Sequence, residues 1–235
     1  MLYLVGTPLG NLGDMTPRAI EVLKACPVIL VEKWTDSIKL LKYFEIGQKE
    51  IINFDERNQK RVTPKILEKL KKGLFAGQAG EDVALITSAG MPGVSDPGAY
   101  LVSACHEEGI PVIPVPGPSA LSTAISVSGF TGSFWFVEFL PRTRGKIVKL
   151  LKQAEELETN LVCFESTHRI EKTLVLINEI YPEAKIFLGK EMTKKFEHYL
   201  VDNASNFLQK IKADKSFTKG EFTLVIHFGK QKVKC

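Results

Sequence analysis

Glu165, His168 and Arg169 lie close together in Phe164-Glu165-Ser166-Thr167-His168-Arg169, directly after an apolar run. An acid, an imidazole and a guanidinium so near one another form a candidate acid/base or anion-binding cluster. The same residues also read as a helix start capped by Ser166 or Thr167 with solvated charges, and His168 taken singly reads as structural. Lys190-Glu191-Met192-Thr193-Lys194-Lys195-Phe196-Glu197-His198 reads as a polyanion contact or as a plain charged surface loop, and alone the loop is preferred. Three Gly/Pro-rich loops are the other chemical candidates: Gly6–Asp14, Ser88–Gly98 and Pro116–Ala120. The first is not GxGxxG and has no Lys-Ser/Thr pair, so neither a dinucleotide nor a triphosphate is indicated. Each loop offers backbone N–H and C=O groups at close range, unobstructed by side chains. Ordinary tight turns explain the first loop and the Asp96-Pro97-Gly98 tripeptide equally well. Ser119 can cap the helix it precedes, and that helix N-terminus can receive a carboxylate. His106, His168, His198 and His227 have no ligand spacing, so no metal is expected.

These loops need elements to hold them. Leu2–Val5, Pro27–Val31, Val83–Ile86 and Pro111–Val115 read as short buried strands. Helices are expected from Thr16-Pro17 to Cys26, around Ile38–Lys42, over Lys65–Lys72 and over Tyr100–Glu108, the last stopped by Gly109. Strands alternating with helices on short links imply βαβ units and a mainly parallel sheet. Ligands bind such sheets outside the carboxyl ends of the strands, where all three loops fall. After Pro118 the expected order is helix Ala120–Val127, strand Phe134–Phe139, strand Leu161–Glu165, helix Ile170–Ile180, strand Ile186–Leu188, helix Ala204–Ile211 and strand Phe222–Phe228. This half is richer in strands that can pair antiparallel. Proline density peaks at 114–118, which sets the expected domains at 1–115 and 116–235.

Bulk properties narrow the class. No apolar run approaches the roughly 20 residues of a membrane helix, and no signal peptide is read at the N-terminus. Cys26, Cys105, Cys163 and Cys235 are scattered without a CxxC pair, which points away from zinc and disulfides and toward a reducing, cytoplasmic compartment. Residues 1–114 hold 13 Lys/Arg against 14 Asp/Glu, and residues 115–235 hold 18 against 13, within a net charge of +4. The basic second half is compatible with a polyanionic partner, although a solvated Lys-rich surface explains that excess alone.

Taken in order, Gly-Thr-Pro-Leu-Gly-Asn-Leu-Gly-Asp, Ala-Gly-Met-Pro-Gly-Val-Ser-Asp-Pro-Gly, Pro-Gly-Pro-Ser-Ala, Glu-Ser-Thr-His-Arg, Glu-Met-Thr-Lys and Lys-Gly-Glu-Phe resemble the tetrapyrrole-methylase superfamily. Within it they resemble the bacterial small-subunit rRNA (cytidine-2′-O-)methyltransferases of the I type, nearly end to end. The resemblance implies a two-domain α/β fold with a mainly parallel N-terminal sheet, a mixed C-terminal sheet and a cofactor cleft between the domains. It implies S-adenosylmethionine as donor, a cytidine ribose of 16S rRNA as acceptor, a homodimer, and no metal. Carried over by position, Thr7, Pro8 and Leu9 would flank the donor. Ser88, Gly90, Met91, Pro92, Gly93, Val94, Ser95 and Asp96 would hold it, with Ser119, Ala120, Phe164 and Met192 contacting it from the other side. Glu165 and, second to it, Glu32 are the candidate bases for a weakly nucleophilic hydroxyl. Arg142, Arg144, Lys146, Arg169, Lys194 and Lys195 would meet RNA phosphates.

The sequence departs from the family pattern at several places. Glu32-Lys33-Trp34-Thr35 stands for Glu-Asp-Thr-Arg, Ser88 for an Asp, and Met91 for a Thr. Phe54-Asp55-Glu56-Arg57-Asn58 stands for Tyr-His-Glu-His-Asn, and Thr167 for a Pro. Two alternatives therefore stay open. One is methylation of a small molecule, a tetrapyrrole or corrinoid, or of a protein residue. The other is a noncatalytic ribosome-assembly factor with a degenerate donor site.

Overall fold

The computed structural model describes residues 1–71 and 80–229, which form two compact units divided between Ser119 and Ala120. In the first, strands β1 (Leu2–Val5), β2 (Val28–Val31), β3 (Glu50–Asn53), β4 (Val83–Ile86) and β5 (Val112–Val115) alternate with helices α1 (Pro17–Ala25), α2 (Trp34–Tyr43), α3 (Gln59–Lys71) and α4 (Ala99–Glu107). All pairings are parallel, in the order β3-β2-β4-β1-β5. The chain leaves β1 toward β2 and leaves β4 in the opposite direction toward β5. Right-handed crossovers then put α1 and α4 on opposite faces of the sheet.

The period-two alternation of the strands divides the core accordingly. Val5, Ile29, Val31, Ala84, Ile86 and Val115 pack with Ala19 and Leu23 of α1 and Leu41 of α2. Leu2, Val28, Leu30, Val83 and Leu85 pack with Ile66 and Leu70 of α3 and Leu101 and Cys105 of α4. Each fully buried Leu or Ile contributes roughly 1.5–3 kcal/mol to holding the sheet that carries the loops.

Helix α1 opens as expected, with Thr16 accepting from the Ala19 N–H and Pro17 at the first helical position. Helix α3 starts earlier than its expected Lys65, at Gln59. The Asp55 and Asn58 side chains each accept from the other's backbone N–H, at 3.0 and 2.9 Å, and this pair nucleates the helix upstream of Pro64. Lys72, its expected last residue, lies outside the described residues.

The second unit has strands β6 (Phe134–Phe139), β7 (Asn160–Glu165), β8 (Lys185–Lys190), β9 (His198–Asp202) and β10 (Phe222–His227) in the order β6-β7-β10-β8-β9. Only β6–β7 is parallel; the other pairings are antiparallel. Helices α6 (Arg144–Glu156), α7 (Ile170–Ile180) and α8 (Ala204–Ala213) supply the large core on one face, with Leu151, Leu174 and Phe207 against Cys163, Leu188 and Leu224. On the other face, Ala124 of α5 (Ala120–Ser128) packs on Val162, Phe187 and Val225. The fold is thus α/β with one parallel and one mixed sheet. The register of β6 against β7 shifts between Phe136 and Phe139, and Glu138 adopts φ 55° there. This bulge ends the strand and redirects the chain into Leu140-Pro141-Arg142.

Candidate functional site

The loops after β1, β4 and β5 meet because β4 and β5 flank β1 in a parallel sheet. Thr7 and Gly90 exchange both backbone hydrogen bonds, N to O at 2.9 and 3.0 Å. The Thr7 hydroxyl donates to the Thr87 carbonyl at 3.1 Å. Gly6 N–H donates to Val115 at 3.0 Å, which brings the third loop alongside. The two backbones touch: a Cβ on Gly6 would stand 2.7 Å from the Gly117 Cα and 2.7 Å from the Met91 sulfur. Met91 fills the contact between the loops, which is the role this departure from the family pattern takes. Leu9 and the Pro118 carbonyl both lie beside Gly90.

The remainder of the second loop is a tight coil. Val94 N–H donates to Met91 O, Pro92 is buried, and Gly98 returns against the Gly93 backbone. Ser95 is held at φ 61°, in the left-handed region that L-residues rarely occupy, and its buried hydroxyl has no partner. Strain of this kind persists where the surroundings over-determine it, and it clusters at ligand-binding sites. Asp96 is half-buried beside it, and Ser119 ends the unit just before α5. The structure therefore brings Thr7, Pro8, Leu9, Ser88, Gly90–Asp96 and Ser119 to one edge of one unit.

A recess of about 340 Å³ opens beside these loops, walled by Pro8, Leu9, Leu40 and Tyr43 with Thr87 and Ser88 among its polar residues. Thr87 and Ser37, which also lines it, carry buried hydroxyls without partners. At its edge Glu32 Oε2 accepts from the Ser88 N–H at 3.0 Å and the Ser88 hydroxyl at 2.7 Å. Ser88 thus anchors an acid carried by the neighbouring strand end instead of contributing its own. Lys33 pairs with Asp36 at 2.8 Å on the surface, a contact of small energetic weight. Tyr43 and Lys39 in this wall were missed by sequence reasoning; their helical spacing from Asp36 on α2 was the available signal.

In the second unit, Glu165 is buried and its side chain has no exposure. Oε1 accepts from Ser166 N–H at 2.9 Å and faces Arg169 Nε at 3.4 Å, while Oε2 accepts from the Thr173 hydroxyl at 2.7 Å. Arg169 in turn donates to the Leu140 and Pro141 carbonyls, both at 2.8 Å. Ser166 and Thr167 do not cap α7. Its N-cap is Arg169, and the Thr167 hydroxyl instead exchanges hydrogen bonds with the Gly220 backbone. Burial pushes the neighbouring Cys163 thiol far up, leaving it inert.

The other nominated residues scatter over this unit. Phe164 packs edge-on against Phe136 and Phe139, Met192 is buried against the α5 side of the sheet, and Ala120 opens α5. Lys194 is tied to Glu221 at 2.8 Å and Glu191 at 3.1 Å. Burial opposes its charge, but these two acids outweigh that and raise its pKa. Glu191 is likewise opposed by burial, and bonds from Glu221 and Lys194 lower it. Lys195 lies over the Phe196 ring, Arg144 pairs with Glu179 at 2.6 Å, and Lys146 and Arg142 are exposed. No group of three His, Cys, Asp or Glu able to hold a metal occurs among the described residues.

Residues 1–207 match the family model of tetrapyrrole (corrin/porphyrin) methylases. The chain is 41% identical over 227 residues to ribosomal RNA small subunit methyltransferase I of Coprothermobacter proteolyticus, covering 97% of each. It is 40% identical over 226 residues to the protein of that name from Thermotoga maritima, covering 96% of this chain and 97% of that one. Among solved structures, the methyltransferase CobJ superposes with a TM-score of 0.68 over 99% of this chain and 96% of its own, at 16% identity, which shows the shared fold.

Proposed function

Because the chain belongs to the tetrapyrrole (corrin/porphyrin) methylase family, we propose that it transfers a methyl group from S-adenosylmethionine to a cytidine 2′-hydroxyl in the 16S rRNA of the small ribosomal subunit. The observation that carries this reading is the end-to-end identity of about two residues in five with small-subunit rRNA methyltransferases, joined to an intact Gly/Pro loop framework. Neither a tetrapyrrole acceptor nor a noncatalytic role is favoured by those relatives. It is proposed to act on ribosomal subunits in the cytoplasm, as a homodimer.

The loop residues fit such a donor. Closely approached backbones at Gly6 and Gly117, the strained Ser95 and the unpartnered Ser95 and Thr87 hydroxyls are features of a surface shaped for a polar ligand. When bound, the donor supplies an electrophilic methyl group on a sulfonium centre. Pro8, Leu9, Ser88 and Gly90–Asp96 hold and orient it, which is the larger part of what such a transfer requires. The recess lined by Leu40 and Tyr43 receives the acceptor nucleoside against an apolar and aromatic wall.

Of the two nominated carboxylates, Glu32 suits the acceptor hydroxyl. Its Oε2 is fixed by Ser88, which leaves Oε1 to accept from a ribose hydroxyl. Glu165 has both oxygens engaged and no exposed surface, so it is assigned a structural part. The reading is tested by incubating the protein with tritiated donor and either free rRNA or assembled small subunits. Label in the rRNA of at least one preparation is expected; none in either would overturn it.

A further inference from the structure

The second unit carries a recess of about 610 Å³ between the turn after β6 and the start of α7, well separated in sequence from the donor loops. Its rim holds Arg142, His168 and Lys172, and its floor is apolar, formed by the buried Ile147 and Leu176. The nominated arginines divide into two kinds here. Arg144 is paired with Glu179 at 2.6 Å. Arg169 is fully used: it joins the Leu140 and Pro141 carbonyls to the buried Glu165 carboxylate. By contrast, Arg142, His168 and Lys172 are exposed and make no ion pair or hydrogen bond among the described residues.

The scaffold beneath these three groups is rigid. The bulge at Glu138 ends β6, and Arg169 clamps the two residues that precede Arg142. Glu165 holds Arg169 from below and is itself held by Thr173 on α7, the helix that carries Lys172. One network thus sets the spacing of the loop cation and the helix cation. The acids near the recess, Glu165 and Glu179, are both engaged, by Arg169 and by Arg144.

We propose that this recess is the seat for the sugar-phosphate backbone of single-stranded RNA, with Arg142, His168 and Lys172 on phosphates and a ribose or base face over Ile147 and Leu176. Two unpaired cations and an imidazole N–H donor facing a cavity recognise successive phosphates. A bare inorganic anion has no use for an apolar floor, whereas a nucleotide chain has one, since its sugars and base faces pack on such surfaces. The seat deepens the rRNA reading and rests on it for the identity of the RNA. It assigns Lys172 and His168 to RNA contact, and moves Arg169, Arg144 and Lys194 from contact to support.

The test uses the whole protein and a fluorescein-labelled 12-nucleotide cytidine-rich RNA, read by anisotropy over a range of salt. Arg142→Ala/Lys172→Ala is compared with Lys60→Ala/Lys65→Ala, which removes the same charge from the exposed side of α3 in the first unit. Loss of two phosphate contacts is expected to weaken binding about ten-fold or more and to reduce the slope of log affinity against log salt by about 1.4. The Lys60/Lys65 variant should bind within about two-fold of the unaltered protein, and Arg142→Lys/Lys172→Arg should restore most of the binding. Equal weakening by both alanine pairs, or an unchanged salt slope, would overturn the seat. Donor affinity by calorimetry is measured on every variant and is expected to be unchanged; its loss in Arg142→Ala/Lys172→Ala would also count against the seat. If the salt slope falls as expected but tritium reaches no rRNA, the seat stands and the methyl-transfer reading fails. If rRNA is labelled with the same KM by both alanine pairs, the reverse holds.

Discussion

Gly6→Ala probes the meeting of the loops directly. The added methyl would stand 2.7 Å from the Gly117 Cα, 2.8 Å from its N, and 2.7 Å from the Met91 sulfur. Carbon–carbon contacts are optimal near 3.5–4.0 Å, so the shortfall is about 1 Å. Met91 can rotate away. Gly117 cannot, because Gly6 N–H is bonded to Val115 two residues earlier on the same loop. Overpacking of this sort costs about 1–3 kcal/mol, and a backbone obstacle puts the change in the upper half of that range. For a chain of this length, about 2–4 °C per kcal/mol converts it to a melting point lowered by about 4–12 °C. Separation of the first and third loops by a fraction of an ångström should weaken donor binding at least ten-fold, since displacements of about 1 Å are that damaging to positioned sites. Gly145→Ala is the control: nothing lies within 4 Å of its Cβ position, in the first turn of α6. That variant should gain up to about 1 kcal/mol and leave donor binding unchanged. Differential scanning calorimetry and titration calorimetry read both. A Gly6→Ala protein that melts within about 1 °C of the unaltered chain and binds donor equally would refute the packed-loop account.

Glu165→Gln should lower stability by about 1–3 kcal/mol, since it leaves Arg169 without its charge partner, while changing the transfer rate by less than about three-fold; a collapsed rate at unchanged stability would return Glu165 to the chemistry. Glu32→Gln should behave oppositely, with kcat reduced about 100-fold, donor affinity intact and melting point unmoved. His227 is held below its ordinary value of 6.5 by burial, against Asn160 Oδ1 at 2.9 Å and stacked on Phe130. A depressed folded value means that the unfolded chain takes up the proton first. The contribution of His227 is therefore complete above about pH 6.5 and is lost as the pH falls below it. Urea midpoints measured between pH 7.5 and 5 should decline, and His227→Gln should flatten that decline.

The buried parallel strands were legible because each is a continuous apolar run bounded by punctuating residues, as in Val28–Val31 and Val83–Ile86. Of the four edge strands, β5 and β6 were legible and β3 and β9 were not. In β3 only Ile51 and Ile52 are partly covered, and charged neighbours mask them. In β9 the pattern His-Tyr-Leu-Val-Asp is mostly exposed, and its first residue, His198, falls in the expected charged loop Lys190–His198, so no strand is read there. Helix α6 was hidden by the basic residues that open it, although Ile147, Leu151 and Ala154 recur at helical spacing behind them. The loops that meet at the sheet edge were legible in glycine and proline content, because a close backbone approach demands glycine at Gly6 and Gly117. What each charge does was not legible. Residue type says that Arg142 and Arg169 are cations; only the fold shows one unpaired and the other spent on two carbonyls and a buried acid. The same holds for Glu32, whose importance rests on a hydrogen-bond partner 56 positions away.

The central claim is transfer to a ribose oxygen of small-subunit rRNA. It is tested most directly by treating unmethylated small subunits with the protein and a donor carrying a deuterated methyl group, digesting the rRNA to nucleosides and resolving them by mass spectrometry. The account predicts one labelled product, 2′-O-methylcytidine, with the label on the ribose fragment. Label on a base fragment, or confined to ribosomal protein, would contradict it.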